Sequence, residues 1–157
     1  MKLAMLLSAD QIILDMKAVE HWPAIVELVE QLVSTKRLPA SQHDEMLEAF
    51  RVREELLSTG IGSGVAIPHA FSDHLEEVVA VFGRSKKGID FTALDNAPVH
   101  LIILFIVPRK HYHLHLRTLS AIAKMFTSRE IIEQLHAAEV AEQVRAIFGS
   151  KPSREGD

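Results

Sequence analysis

Residues 99–107 read VHLIILFIV, and the run stops at Pro108. It is the most apolar stretch of the chain. A strand with no polar alternation has no face to give to water, and its β-branched and aromatic content favours a central strand covered on both sides. His100, near its start, is expected to be structural. Shorter apolar runs at 12–14 and 78–82 read as further strands, with a turn at Gly88-Ile89-Asp90-Phe91.

Helical spacing accounts for most of the rest. Residues 22–33 carry Ile25, Leu28, Val29, Leu32 and Val33 three and four apart, with Pro23 in the first turn, where proline is tolerated. Pro39 separates this helix from a second at 42–57. Ser41 is a suitable N-cap for that helix and Asp44 is favourable in its first turn. Helices are also expected at 112–126, 128–135 and 139–148, with Gly149 ending the last. Residues 1–149 then form one domain, and 150–157 a polar, disordered tail.

Two helical wheels hold a polar residue out of place. In 42–57, Met46, Ala49, Phe50, Leu56 and Leu57 share one arc, and Arg53 falls in its middle. A guanidinium cannot shed its charge, so Arg53 either snorkels, pairs with a carboxylate, or serves a bound anion. In 112–126, Leu116, Leu119, Ile122, Ala123 and Phe126 share an arc, with His115 at its edge.

Between these helices lies STGIGSGVAIPHA, residues 58–70. Gly60, Gly62 and Gly64 let the backbone take positive φ or approach another group closely. Val65, Ala66 and Ile67 read as a short buried strand, and Pro68 stops it beside His69. Arg53, His69 and His115 therefore stand out as polar groups at apolar or glycine-rich positions.

Several chemistries are disfavoured. The chain of 157 residues has no cysteine, which removes thiolate nucleophiles and cysteine-zinc sites. Its net charge of -4 argues against general binding of nucleic-acid backbones. No stretch approaches a membrane span or a signal-peptide core, so a soluble cytoplasmic domain is expected. Gly62-Ser63-Gly64 lacks nucleophile-elbow spacing, and the glycine stretch has no P-loop lysine. His111, His113 and His115 alternate, so on a helix they would not converge on a metal. No cofactor is expected.

What the three polar residues suit is a phosphoryl group carried on a histidine. A neutral imidazole is a good nucleophile near pH 7. Phosphoryl transfer asks mainly for alignment and charge stabilisation, which an arginine, a second imidazole and free backbone amides can supply.

The segments REELLSTGIGSGVAIPHA (53–70), IDFTALDNAPVHLIILFIVP (89–108) and HLRTLSAIAKMF (115–126) resemble enzyme IIA domains of the bacterial phosphotransferase system, of the fructose/mannitol/nitrogen-regulatory type. The similarity runs from about Leu3 to Phe148. It implies a three-layer α/β fold with a mixed, mostly parallel five-stranded sheet. It implies that His69 accepts a phosphoryl group on Nε2 from a histidine phosphocarrier protein of HPr or NPr type. The family's second histidine maps to His115 and its arginine to Arg53, with Gly60, Gly62 and Gly64 as backbone donors. Ala70, where the family often has glycine, the segment FSDH (71–74) and Arg117 depart from the pattern, at the rim that would meet partners. STGIGSG and LDNAPV look closer to the nitrogen branch, whose members signal through their phosphorylation state. The alternatives are a carrier that passes the group to a sugar transporter's IIB domain and a non-catalytic binding module on the same fold.

Overall fold

The computed structural model describes residues 3–56, 58–93 and 95–150. Its centre is a mixed sheet in which β6 (Val99–Pro108) is buried along almost its whole length. β5 (Val79–Ile89) runs antiparallel along one edge of β6 and pairs beyond it in parallel with β1 (Ile12–Ile13). The other edge of β6 carries two short parallel strands end to end, β3 (Val65–Ala66) and then β4 (His69–Ser72). β2 (Gly60–Gly62) forms an antiparallel hairpin with β3. Six strands thus fill five positions across the sheet, in the order β1, β5, β6, β3 with β4, and β2.

Side-chain alternation along β6 divides the core in two. Leu101, Ile103, Phe105 and Val107 face one way, under α3 (Tyr112–Met125), α4 (Arg129–Ala137) and α5 (Ala141–Ser150). Ile102, Leu104 and Ile106 face the other way, under α1 (His21–Ser34) and α2 (His43–Leu56). This is the three-layer arrangement that a doubly covered central strand requires.

Several boundaries differ from the sequence reading, each for a local reason. Ser41 is not the cap of α2, because it lies inside a 3-10 turn, Ala40–Gln42, that precedes the helix. Leu56 and Leu116 belong to no buried arc and are 79% and 46% exposed. A wheel gives the angle of a residue but not whether the helix still overlies the sheet at that height. Leu57 lies outside the described residues. β5 extends into the segment read as a turn and ends at Ile89: Gly88, at φ 92°, sits in a bulge where Arg84 faces Leu101 and Ile89 faces Val99. α5 continues past Gly149 to Ser150, so Gly149 does not end it, and residues 151–157 lie outside the described residues.

Candidate active site

Pro68 has no N–H to give to a ladder, so the edge strand breaks there. Its carbonyl still accepts from Phe105 N at 2.9 Å, and the chain resumes on the same edge of β6. His69 opens β4 opposite Phe105, and Ala70 follows opposite Ile106. Ala70 and Ile106 point into the core under α1 and α2, whereas Phe105 points to α3–α5. Register and alternation therefore direct His69 to the α3 side of the sheet, partly buried. Its Nδ1 lies 2.9 Å from the carbonyl oxygen of Ile67. A carbonyl oxygen only accepts, so Nδ1 carries the proton and Nε2 keeps its lone pair.

The start of α3 is fastened to β4 just beyond His69. Phe71 lies two residues on and on the same face, and its ring meets that of Tyr112 edge-on at 5.7 Å. The Arg109 guanidinium lies 5.6 Å from the centre of the Phe71 ring, and its Nε donates to Asp73 at 2.7 Å. Lys110 donates to Glu76 at 3.0 Å. Three residues after Tyr112, on the same stripe of the helix, comes His115, partly buried. Burial and then the neighbouring charge of His111 hold its pKa below the ordinary histidine value. It is neutral at pH 7 and offers one N–H and one lone pair.

Arg53 comes from the other layer. It sits partly buried in the last turn of α2, one turn beyond the buried Phe50. α2 packs on β4 from the Ala70 side. Among the described residues β4 pairs only with β6, which leaves its outer edge without a neighbouring strand.

The glycines do something other than what their density suggests. Gly62, Ser63 and Gly64 take φ of 95°, 57° and 78° and turn the β2–β3 hairpin. Gly64 O accepts from the amides of both His100 and Leu101, four or more positions along β6 from Phe105. The Gly60 amide donates to Ser58 Oγ at 3.1 Å, and a Cβ there would stand 2.8 Å from that of Ala93. The three glycines are accounted for by the hairpin and its close packing, so the geometry does not favour a phosphate cradle at Gly62 and Gly64.

One buried carboxylate escaped the sequence reading. Glu54, beside Arg53, has a side chain only 6% exposed. It accepts from Thr59 Oγ1 at 2.8 Å and Thr59 N at 3.3 Å, and lies 2.6 Å from His21 Nε2. It ties the exit of α2 to the start of the hairpin and both to α1. The available signal was an acid in a helix's last turn, where the macrodipole disfavours it. His113 and His115 both lie within α3, so they do not converge. The departures noted in the sequence have plain places: Ala70 is buried, Phe71 and Asp73 hold α3, and Arg117 is exposed.

A model of the family described as phosphoenolpyruvate-dependent sugar phosphotransferase system, EIIA 2, matches residues 5–151. The chain belongs to this family. It is 35% identical over 139 residues to a fructose-specific EIIABC component from Bacillus subtilis, covering 88% of the chain but 22% of that protein. It is 36% identical over 124 residues to a nitrogen regulatory protein from Klebsiella oxytoca, covering 78% of the chain and 75% of the relative. The crystal structure of nitrogen regulatory protein IIA-Ntr from Neisseria meningitidis superposes with a TM-score of 0.84 at 34% identity, covering 92% and 97% of the two chains. No helix among the described residues is long and apolar enough to cross a membrane.

Proposed function

We propose that the chain is a phosphocarrier of the nitrogen-regulatory type that takes a phosphoryl group on Nε2 of His69. The observation that carries this is the Nδ1–H bond to the Ile67 carbonyl, which leaves Nε2 as the nucleophilic nitrogen. The Nε2 lone pair forms the new P–N bond as the P–N bond of a phosphohistidine donor breaks, and the donor's imidazole recovers the electron pair. Nδ1 keeps its proton against Ile67, which holds the ring still and shares the positive charge that builds on it. His115 donates its N–H to the phosphoryl oxygens from α3. Arg53 reaches them around the outer edge of β4. The donor is a histidine phosphocarrier protein. The added charge then changes which partners dock, by repulsion or by new pairing. The nitrogen regulatory relatives and the IIA-Ntr structure favour this branch.

Incubation with phosphoenolpyruvate, enzyme I and the histidine phosphocarrier should give an acid-labile, base-stable modification. Nitrogen-coupled NMR should place it on Nε2 of His69. No labelling of the wild type, full labelling of His69→Ala, or attachment to Nδ1 overturns the mechanism. The fructose-specific relatives favour a second reading, in which the group passes to a IIB domain. Rapid delivery from the phosphoform to a IIB domain encoded alongside it would select that reading.

A further inference from the structure

At the opposite end of β6 from His69 lies an open pocket of about 350 Å³, lined by Arg84, Ser85, Lys86, His100 and His136. None of the five is acidic, and four carry or can carry positive charge. From this composition and its geometry, we propose that the pocket binds a small dianionic oxyanion, a phosphate monoester or a dicarboxylate.

Arg84 is 6% exposed, and its guanidinium is held by backbone alone. Nε donates to Leu14 O at 3.1 Å, and Nη1 to the carbonyls of Leu135, His136 and Ala138 at 2.9, 3.2 and 2.6 Å. Those carbonyls cap the C-terminal end of α4, so Nη1 answers the negative end of the helix. Nη2 makes no hydrogen bond among the described residues. A buried guanidinium without a carboxylate keeps its full charge in a medium that screens it poorly.

The two histidines add donors on demand. His100 Nδ1 donates to Ser85 O at 2.8 Å, which fixes that ring and leaves Nε2 for another partner. The His136 ring meets it edge-on at 5.9 Å. Facing His136 are His100 from β6 and Arg84 from β5. Burial first, then those two charges, hold its pKa below the ordinary value. Lys86, also on β5, is 3.4 Å from Asp15 in an exposed pair that can open cheaply. A dianion gives the cationic groups an opposite charge and the two imidazoles an acceptor. The site also abuts the hairpin: a Cβ on Gly88 would lie 3.1 Å from the His100 ring, and one on Gly64 3.8 Å.

The test uses the ¹⁵N-labelled His69→Ala chain, so that phosphate cannot report from the active site. Inorganic phosphate, glycerol phosphate and succinate are titrated separately at constant ionic strength, with sodium chloride as reference. Expected are saturable shifts at Ser85, Lys86 and the His100 and His136 imidazoles. Affinity, referred to the concentration of the dianion at each pH, should tighten at least fivefold from pH 8 to pH 6, and weaken at least fivefold in Lys86→Gln, an exposed change that leaves the fold intact, and in His136→Gln. Saturation by the phosphates alone identifies a phosphate-ester site, and saturation by all three a general dianion site. Shifts that chloride reproduces, that do not saturate, or that persist unchanged in the Lys86→Gln/His136→Gln double variant overturn the proposal.

Discussion

His69, opposite Phe105 of β6, and His100, near the start of β6, are held by the same device. Each donates Nδ1–H to a nearby carbonyl, Ile67 O at 2.9 Å and Ser85 O at 2.8 Å. Each therefore keeps its second nitrogen for something else. Their settings differ. His69 opens an edge strand after a proline break, beside a helix start fastened by Phe71 and Tyr112. His100 lies on the central strand between two glycines, in a pocket with a buried arginine. A fixed tautomer alone does not make a phosphoryl acceptor. Access along the strand edge and donors placed beyond the nitrogen have to accompany it.

The sharpest way to break that comparison is to remove each ring in turn. His69→Ala should abolish labelling by the phosphocarrier system, while His100→Ala should keep the wild-type stoichiometry. Loss of labelling in a folded His100→Ala protein would mean that the two ends are not separate sites. The next largest effect is on stability. Arg84→Met strips the partner from three carbonyls at the end of α4 and one after β1. It should cost about 3 kcal/mol or more in denaturant unfolding, and a change within experimental error would show those bonds to be dispensable. A smaller effect is expected at the active end. His115→Ala should slow phosphoryl transfer roughly tenfold or more, as for a single lost donor to a developing charge. Arg53→Met, acting from across the strand edge, should slow it less. The reverse order would mean that the α2 layer dominates the site.

The same contrast explains what was legible in the sequence. The central strand could be read outright, because burial on both faces leaves a run that nothing else resembles. His69, His115 and Arg53 showed themselves as polar residues breaking an apolar pattern. The far half of β5 could not be read that way: Gly83, Arg84, Lys86, Lys87 and Gly88 erase its alternation, and only pairing with β6 makes it a strand. Arg84 and Glu54 were invisible for a related reason. Arg84 is justified by carbonyls more than fifty residues away, and Glu54 by His21 and a threonine across a turn. A periodic pattern reports which residues face a core, but not which buried charge finds its partner there. The glycines are ambiguous for the opposite reason, since a tight hairpin and a phosphate cradle require the same residues.

The smallest predicted effect also separates the two ends most finely. His115 and His136 both have pKa values held below the ordinary histidine value of about 6.5. The unfolded chain therefore binds more protons than the folded one as pH falls through that value. Their contribution to stability is present above about pH 6.5 and is lost as pH falls through the lower folded values. Thermal unfolding measured from pH 7.5 to 5 in a buffer of monovalent ions should show this decline, and His136→Gln and His115→Gln should each flatten it. In His115→Gln, where only the His136 share is left, adding phosphate should flatten what remains, because an anion in that pocket raises the folded pKa toward the unfolded one. If phosphate flattens the decline equally in wild type and in His136→Gln, the anion acts elsewhere on the protein. If neither substitution changes the slope, neither histidine has a folded pKa below its unfolded one.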